Sequence, residues 1–480
     1  MSFPAFENTF STLPPFFFEE VAPTPLKNAT LLHQTELVRD LGLEALTPAE
    51  LKSWLNGESR LTGDQRISTR YAGHQFGVWA GQLGDGRAIS LGEVITQKMG
   101  RQEIQAKGLG MTPFSRQGDG KAVLRSSIRE YLCAEAMDAL GIPTTRSLAL
   151  ILGEGAVERE EIEFEAATIR VFPSQIRFGH FEMAFHSGKK SELKALIEYT
   201  RSRFFDGASI EEMLHAVMDK TARMIALWQS VGFCHGVMNT DNMSILGLTL
   251  DYGPFGFMED FNPHHICNHS DREGRYAYSE QPRVGMWNLE RLFVCFSDLV
   301  TRERLIALLE TYPARFQTHL IETYRKKLGL QEERPEDLEL IEALLEMLAE
   351  CKFDCTFFFR SLSRYHAGSI ESLAGFRDHY PESLESSSLA RWLTRYQERL
   401  ILEGSVDSER SAQMLGVNPK FVLRNPLAQE IIANTSAGKT EALAGWYQVL
   451  RSPFQEHPEV GTWAGPLPSN LKNRILSCSS

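Results

Sequence analysis

Between residues 87 and 140 the apolar pattern changes its period from two to nearly four, and this change limits what the chain can fold into. RAISLGEVIT (87–96) and QEIQAKG (102–108) are strand-length runs around the short turn QKMGR. They predict an antiparallel hairpin. KAVLRSSIREYLCAEAMDAL then carries Leu124, Ile128, Tyr131, Leu132 and Ala136 at helical spacing, and Gly141-Ile142-Pro143 stops the helix. SLALILG and ATIRVFP predict strands near 147–153 and 167–173. Beyond about residue 190 the period is helical, as in EEMLHAVMDKTARMIALWQSVG, RERLIALLETYPARF and LELIEALLEMLAE. Upstream, a Phe/Pro-rich arm leads to helices expected near 30–42 and 47–56, the second with Thr47 as cap and Pro48 at its first position. A strand-rich part followed by a helix-rich part makes the fold class α+β.

Length and charge narrow the function. At 480 residues and 42% hydrophobic content the chain can bury a substantial core in two or three domain-sized units. Its 62 acidic residues against 50 basic ones give a formal net charge of −12, a poor match for polyanions, so no nucleic-acid partner is expected. MSFPAFENTFSTLPPFFFEE has neither a basic start nor a long apolar run, and no segment approaches the roughly 20 apolar residues that span a bilayer. No membrane association is expected. Seven scattered cysteines suit a reducing, cytoplasmic setting. Nothing marks an interface, and a monomer is expected.

Several stretches carry candidate chemistry. GQLGDGR (81–87) offers Gly84 and Gly86 for close backbone approach to phosphate, with Arg87 beside them, although an Asp-Gly pair also makes plain turns. Lys107 closes a predicted strand, and Glu130 stands off the apolar stripe of the following helix. A strand lysine held by a helix glutamate presents an ammonium to phosphates in kinases, and elsewhere is a structural ion pair. Asp119-Gly120 sits in a Gly-rich turn between them. Arg170 and Arg177 flank Pro173, and guanidinium groups suit phosphate.

HGVMNTDNMSILGLTLDYG (235–253) is almost a kinase catalytic loop. Asn242 lies five residues after position 237, as in H-R-D-x-x-x-x-N, and Asp251-Tyr252-Gly253 reads as a variant of D-F-G, with SILGLTL as a short strand between. Position 237, where a kinase has its base, is Val237, and Asp241 stands four residues on. Asp241, Asn242 and Asp251 offer hard oxygens suited to Mg²⁺ or Mn²⁺ bound with a nucleotide. An ordinary polar loop is the plainer alternative.

The whole series resembles the selenoprotein O family, also called SelO or YdiU. The resemblance is carried by YAGHQFG (71–77), GDGKAVLRSSIRE (118–130), RFGHFE (177–182), HICNHSD (265–271), NPKFVLRNPLAQE (418–429) and the terminal SCSS. It implies a protein-kinase-like bilobal fold, with a strand-rich N-lobe over 1–180 and a helical C-lobe over 181–480. It also implies a protein adenylyltransferase that binds ATP in a flipped orientation and transfers AMP to Ser, Thr or Tyr hydroxyls of proteins, with UMP transfer from UTP described for some members. On that resemblance Asp241 is the general base, and Asn242 and Asp251 hold the metal. Lys107, positioned by Glu130, meets the phosphates with Arg170 and Arg177, and Gly84, Gly86, Arg87, Asp119 and Gly120 complete the nucleotide site. The resemblance further suggests a redox switch between Cys478 and Cys267, for which an inert tail thiol is the alternative.

Conventional γ-phosphoryl transfer and a non-catalytic nucleotide-binding scaffold remain as alternatives. Val237 counts against the first and the complete set of metal ligands against the second. SAGKT (436–440) mimics the end of a Walker A loop, but Ala433 stands where a glycine is required and the preceding segment reads as helix. Cys351 and Cys355, and the Phe357-Phe358-Phe359 run, read as helix core, and His264 and His265 as loop residues.

Overall fold

Lys107, at the end of one strand, faces Thr168 on one side and Ala88 on the other, and this register organises the first part of the molecule. The computed structural model describes residues 6–381 and 386–472. Its strands are β1 (Phe6–Glu7), β2 (Phe18–Glu20), β3 (Thr30–Gln34), β4 (Ile67–Thr69), β5 (Ala72–Gln75), β6 (Val78–Gln82), β7 (Ala88–Thr96), β8 (Gly100–Lys107), β9 (Ala122–Val123), β10 (Arg146–Glu158), β11 (Ile162–Phe172), β12 (Phe233–Cys234) and β13 (Gly256–Phe257). A nine-stranded antiparallel sheet runs in the order β2-β4-β7-β8-β11-β10-β3, with β1 on β7 and β9 on β11. β5 and β6 form a separate hairpin, and β12 and β13 a small two-stranded sheet. The predicted hairpin over 88–107 and the strands near 150 and 170 are all present, the latter pair extended into a long arm.

The sheet is covered on both faces. Ile89, Leu91, Ile104, Ala106, Ala167, Ile169 and Val171 point one way, toward α1 (Leu37–Asp40) and α2 (Pro48–Leu55). α2 begins with the expected Thr47 cap, which the structure extends to a capping box, with Glu50 N–H donated to Thr47 and the Glu50 carboxylate accepting from the Thr47 N–H. The opposite face meets α3 (Leu124–Ala139), whose predicted stripe is buried. Each such Leu or Ile contributes roughly 1.5–3 kcal/mol.

Helices follow: α4 (Phe178–His186), α5 (Lys190–Phe204), α6 (Ile210–Ser230) and α7 (Gln281–Val294), then others through Glu441–Arg451. None of the described helices is long and apolar enough to cross a membrane. The helix over Glu441–Arg451 returns to α3, where Arg451 pairs with Asp138 at 2.6 Å. Arg129, buried in α3, donates to the Phe255 carbonyl (2.9 Å) and to Asn425 Oδ1 (3.1 Å), tying three distant segments together.

Three local expectations are corrected. Thr30–Gln34 is a strand rather than the start of a helix, because it pairs with β10 as the sheet's last member. SILGLTL forms a turn bounded by isolated bridges, Met243 to Thr249 and Thr144 to Thr249, rather than a strand. RERLIALLETYPARF is split at Glu310-Thr311 into Arg302–Leu309 and Tyr312–Leu328, with Pro313 in the first turn of the second helix. The helix Asn425–Ser436 precedes SAGKT, as expected, and Phe358 and Phe359 are core.

Candidate active site

Thr168 lies opposite Lys107, and Arg170 follows two residues along β11 on the same face. Both side chains therefore emerge beneath α3, where Glu130 receives them. Its Oε2 accepts from Lys107 Nζ at 2.5 Å and its Oε1 from Arg170 Nε. Glu130 is off the apolar stripe yet buried, because these two cations meet it there. Burial lowers the Lys107 ammonium to about 8, with Arg170 adding to the effect and Glu130 opposing it.

Arg170 and Arg177 converge again on Asp251, each through a guanidinium nitrogen, and Lys107 Nζ is 3.7 Å from the same carboxylate. Burial alone would raise the Asp251 carboxyl, but Arg177, Arg170 and Lys107 together hold it well below its ordinary range. Asp251 takes a left-handed backbone (φ 54°) in the turn that aims it inward. His235 supports that turn. Its Nε2 lies 2.8 Å from the Leu250 carbonyl, its Nδ1 accepts the Val237 N–H at 3.3 Å, and its ring stacks on Trp228.

Asp241 sits in a short 3₁₀ turn, Thr240–Asn242, packed between α4 and the β5–β6 hairpin. One carboxylate oxygen accepts from Gln75 Nε2 at 3.2 Å, and the other, Oδ1, is buried without a hydrogen-bond partner. Burial pushes this carboxyl up to about 7 against the pull of Arg177, whose Nη1 donates to the Asp241 carbonyl at 2.9 Å. Asn242 donates its amide N–H to the Val237 carbonyl (2.9 Å), which leaves its oxygen as the end open to a cation. An unpartnered buried carboxylate oxygen, a second carboxylate and an amide oxygen are a donor set that fits a hard divalent ion.

The predicted residues come together in one cavity of about 670 Å³. Lys107, Glu130, Arg170, Arg177, Asp241, Asn242 and Asp251 line its inner part, with Val237 on its wall, and Gly84, Gly86, Arg87, Asp119 and Gly120 line its Gly-rich side. There the glycines allow loop to lie on loop. A Cβ at Gly86 would come within 2.9 Å of the Phe114 carbonyl, and one at Gly120 within 2.2 Å of the Gly110 carbonyl. Asp119 is half exposed and paired with Arg159 at 2.9 Å.

Other residues were missed, although all but Asp85 lie in the strings that carry the family resemblance. In YAGHQFG, the Tyr71 ring lies 5.0 Å from the Arg177 guanidinium, and Gly73 and Gln75 touch Asp241. In RFGHFE, His180 Nδ1 accepts the Arg177 N–H at 3.0 Å, while burial and Arg177 lower its imidazole to about 3. A Cβ on Gly179 would fall 2.1 Å from the Ala72 carbonyl. Asp85, between Gly84 and Gly86, is buried against Thr69 and raised by that burial. Cys267 is buried with its thiol toward the Cys234 carbonyl (3.4 Å), and its suggested partner Cys478 lies outside the described residues.

The sequence matches the family described as Protein adenylyltransferase SelO over residues 3–451. The chain belongs to the SelO family. It is 44% identical over 485 residues to a Myxococcus xanthus protein named Protein nucleotidyltransferase YdiU, covering 99% of this chain and 98% of that one. Proteins of the same name from Herminiimonas arsenicoxydans (44%, covering 98% and 96%) and Yersinia pseudotuberculosis (41%, covering 99% and 99%) are similar over the same extent. The SelO match spans every residue that lines the cavity.

Proposed function

We propose that this chain is a protein nucleotidyltransferase that moves AMP from ATP, or UMP from UTP, onto Ser, Thr or Tyr hydroxyls, using a kinase-like cleft between a strand-rich lobe (1–180) and a helical lobe (181–480). The names of its relatives support the reaction class. The observation that carries the reading is the exchange at the catalytic loop. Apolar Val237 lines the cavity where a kinase has its base, while buried Asp241, with one oxygen unpartnered, stands four residues on.

In the reaction, the acceptor hydroxyl oxygen bonds to the α-phosphorus and the bond from that phosphorus to the bridging oxygen of pyrophosphate breaks. The hydroxyl proton passes to Asp241, whose carboxyl titrates near neutrality and so can both take and release it. Lys107, Arg170 and Arg177 set three cations against the two carboxylates Glu130 and Asp251, a surplus that suits charge building on the departing pyrophosphate. Glu130 lies between Lys107 and Arg170, fixes both and offsets the repulsion between them. Asn242 and Asp251 are the residues that would hold Mg²⁺ or Mn²⁺, and the ion when bound polarises phosphoryl oxygens. Gly84, Gly86, Arg87, Asp119 and Gly120 close over the nucleotide from the other side. On this reading the nucleotide lies flipped relative to that of a kinase, with its α-phosphorus toward Asp241.

The test uses ATP labelled at either end, with Mg²⁺ or Mn²⁺ and an acceptor protein. Retention of the α label alone is expected, and transfer of the γ label alone, or of neither, overturns the proposal. Asp251→Ala is expected to abolish labelling; undiminished transfer by that variant removes Asp251 from the metal site.

A further inference from the structure

Outside the cavity, α4 and the β5–β6 hairpin bring together a second group of ligand-type side chains. Glu182 and His186 are four residues apart on α4 and so share a face of the helix. His74 comes to them from β5. One ligand atom from each of the three residues lies within 4.8 Å of the others. We propose that His74, Glu182 and His186 form a binding site for a borderline divalent cation of the Zn²⁺ type, separate from the hard-oxygen site in the cavity.

Three features support this. The set is two imidazoles and one carboxylate, the donor chemistry of zinc rather than of magnesium. Glu182 is fully buried, and among the described residues its ion-pair partner is His74 alone, Nδ1 to Oε1 at 2.6 Å. A buried carboxylate without a permanent cation is costly, and a divalent ion would neutralise it. The surroundings are aromatic and partly dry: Trp79 lies 4.2 Å from the His186 ring and 5.1 Å from that of His74, and Trp287 lies 5.4 Å from His74. His186 itself is exposed at the helix end, with the Trp79 ring against it. Tetrahedral zinc with bonds of about 2.1 Å needs donors about 3.4 Å apart, so the three donors, now within 4.8 Å of one another, would draw together on binding and leave the fourth position to water.

The plainer account is that Glu182 serves only to hold His74 and Thr240, whose hydroxyl it accepts. That account gives His186 no part, and His186 is therefore where the two diverge. Binding would displace the proton shared by His74 and Glu182, and would fasten the β5–β6 hairpin to α4.

The experiment is calorimetric titration of the metal-stripped full chain with Zn²⁺ in excess Mg²⁺, which occupies hard-oxygen sites. One Zn²⁺ per chain is expected at micromolar or tighter affinity. Loss of an outer partner of a zinc ligand alone costs 10–100-fold, so His186→Ala should weaken binding by at least about 100-fold. His74→Gln should do the same, and both variants should lose the visible absorption of bound Co²⁺. Asn242→Ala should leave Zn²⁺ binding unchanged. The proposal fails if the parent chain takes no Zn²⁺ under these conditions, if His186→Ala binds as the parent does, or if Asn242→Ala abolishes the binding.

Discussion

Gly73→Ala adds one methyl group and changes no charge, no metal ligand and no group assigned to the nucleotide. Gly73 lies in β5 with its hydrogen facing the Thr240–Asn242 turn. A Cβ there would stand 2.8 Å from Asp241 Oδ1, 3.0 Å from Asp241 Cβ and 3.0 Å from Thr240 Oγ1. Comfortable contacts are about 3.5 Å or more, so the turn and its carboxylate must move by roughly 0.5–1 Å. A misplacement of about 1 Å can lower kcat about 10²-fold, equivalent to roughly 2.7 kcal/mol of barrier. Stability should fall by only about 1–3 kcal/mol from overpacking. The Lys107–Glu130–Arg170 cluster is untouched, so nucleotide affinity should hold. The assay is transfer of α label at saturating nucleotide, with the Kd for nucleotide measured separately. Gly445→Ala is the control, since its added methyl meets nothing within 4 Å. A Gly73→Ala kcat within about threefold of the parent, against the roughly 10²-fold expected, refutes the placement of Asp241 as the base. So does an equal loss of nucleotide binding.

Other perturbations test the scaffold. Gly445→Ala lies on an exposed helical position without strain and should stabilise the chain by about 1 kcal/mol in chemical unfolding. Arg424 and Asp354 form a buried pair, and Arg424→Met should cost about 3–5 kcal/mol by stranding the carboxylate, read as a fall in Tm. Lys327 is buried with its ammonium 4.2 Å from the Phe359 ring centroid, and burial lowers it from 10.5 to about 8. The folded state therefore bears the full penalty below about pH 8. Between 8 and 10.5 the unfolded chain binds the extra proton, so stability rises with pH in that window. Lys327→Met should gain about 1–3 kcal/mol at pH 7 and lose this rise, as urea unfolding at pH 7 and 10 will report.

Much of this was readable along the chain. The hairpin over 88–107, α2, α3 and α6 follow from local period and caps, Thr47 and Ser209 each closing a capping box. The break at Glu310-Thr311 was also written locally, in Pro313. Thr30–Gln34 was not legible, because what makes it a strand is β10, far along the sequence. SILGLTL has a strand's composition but lacks a continuous partner, and composition alone does not supply one.

The site divides in the same way. The sequence determined which groups would be present, since acid, amide and guanidinium types are fixed residue by residue, and the spacing of Asn242 and Asp251 around one loop is a local property. Only the tertiary structure decided that Arg170 and Arg177 share Asp251, that Glu130 is buried between two cations, and that Gly73 must lack a side chain. These depend on strand register and on helix seating, which are set by contacts between residues distant in the chain.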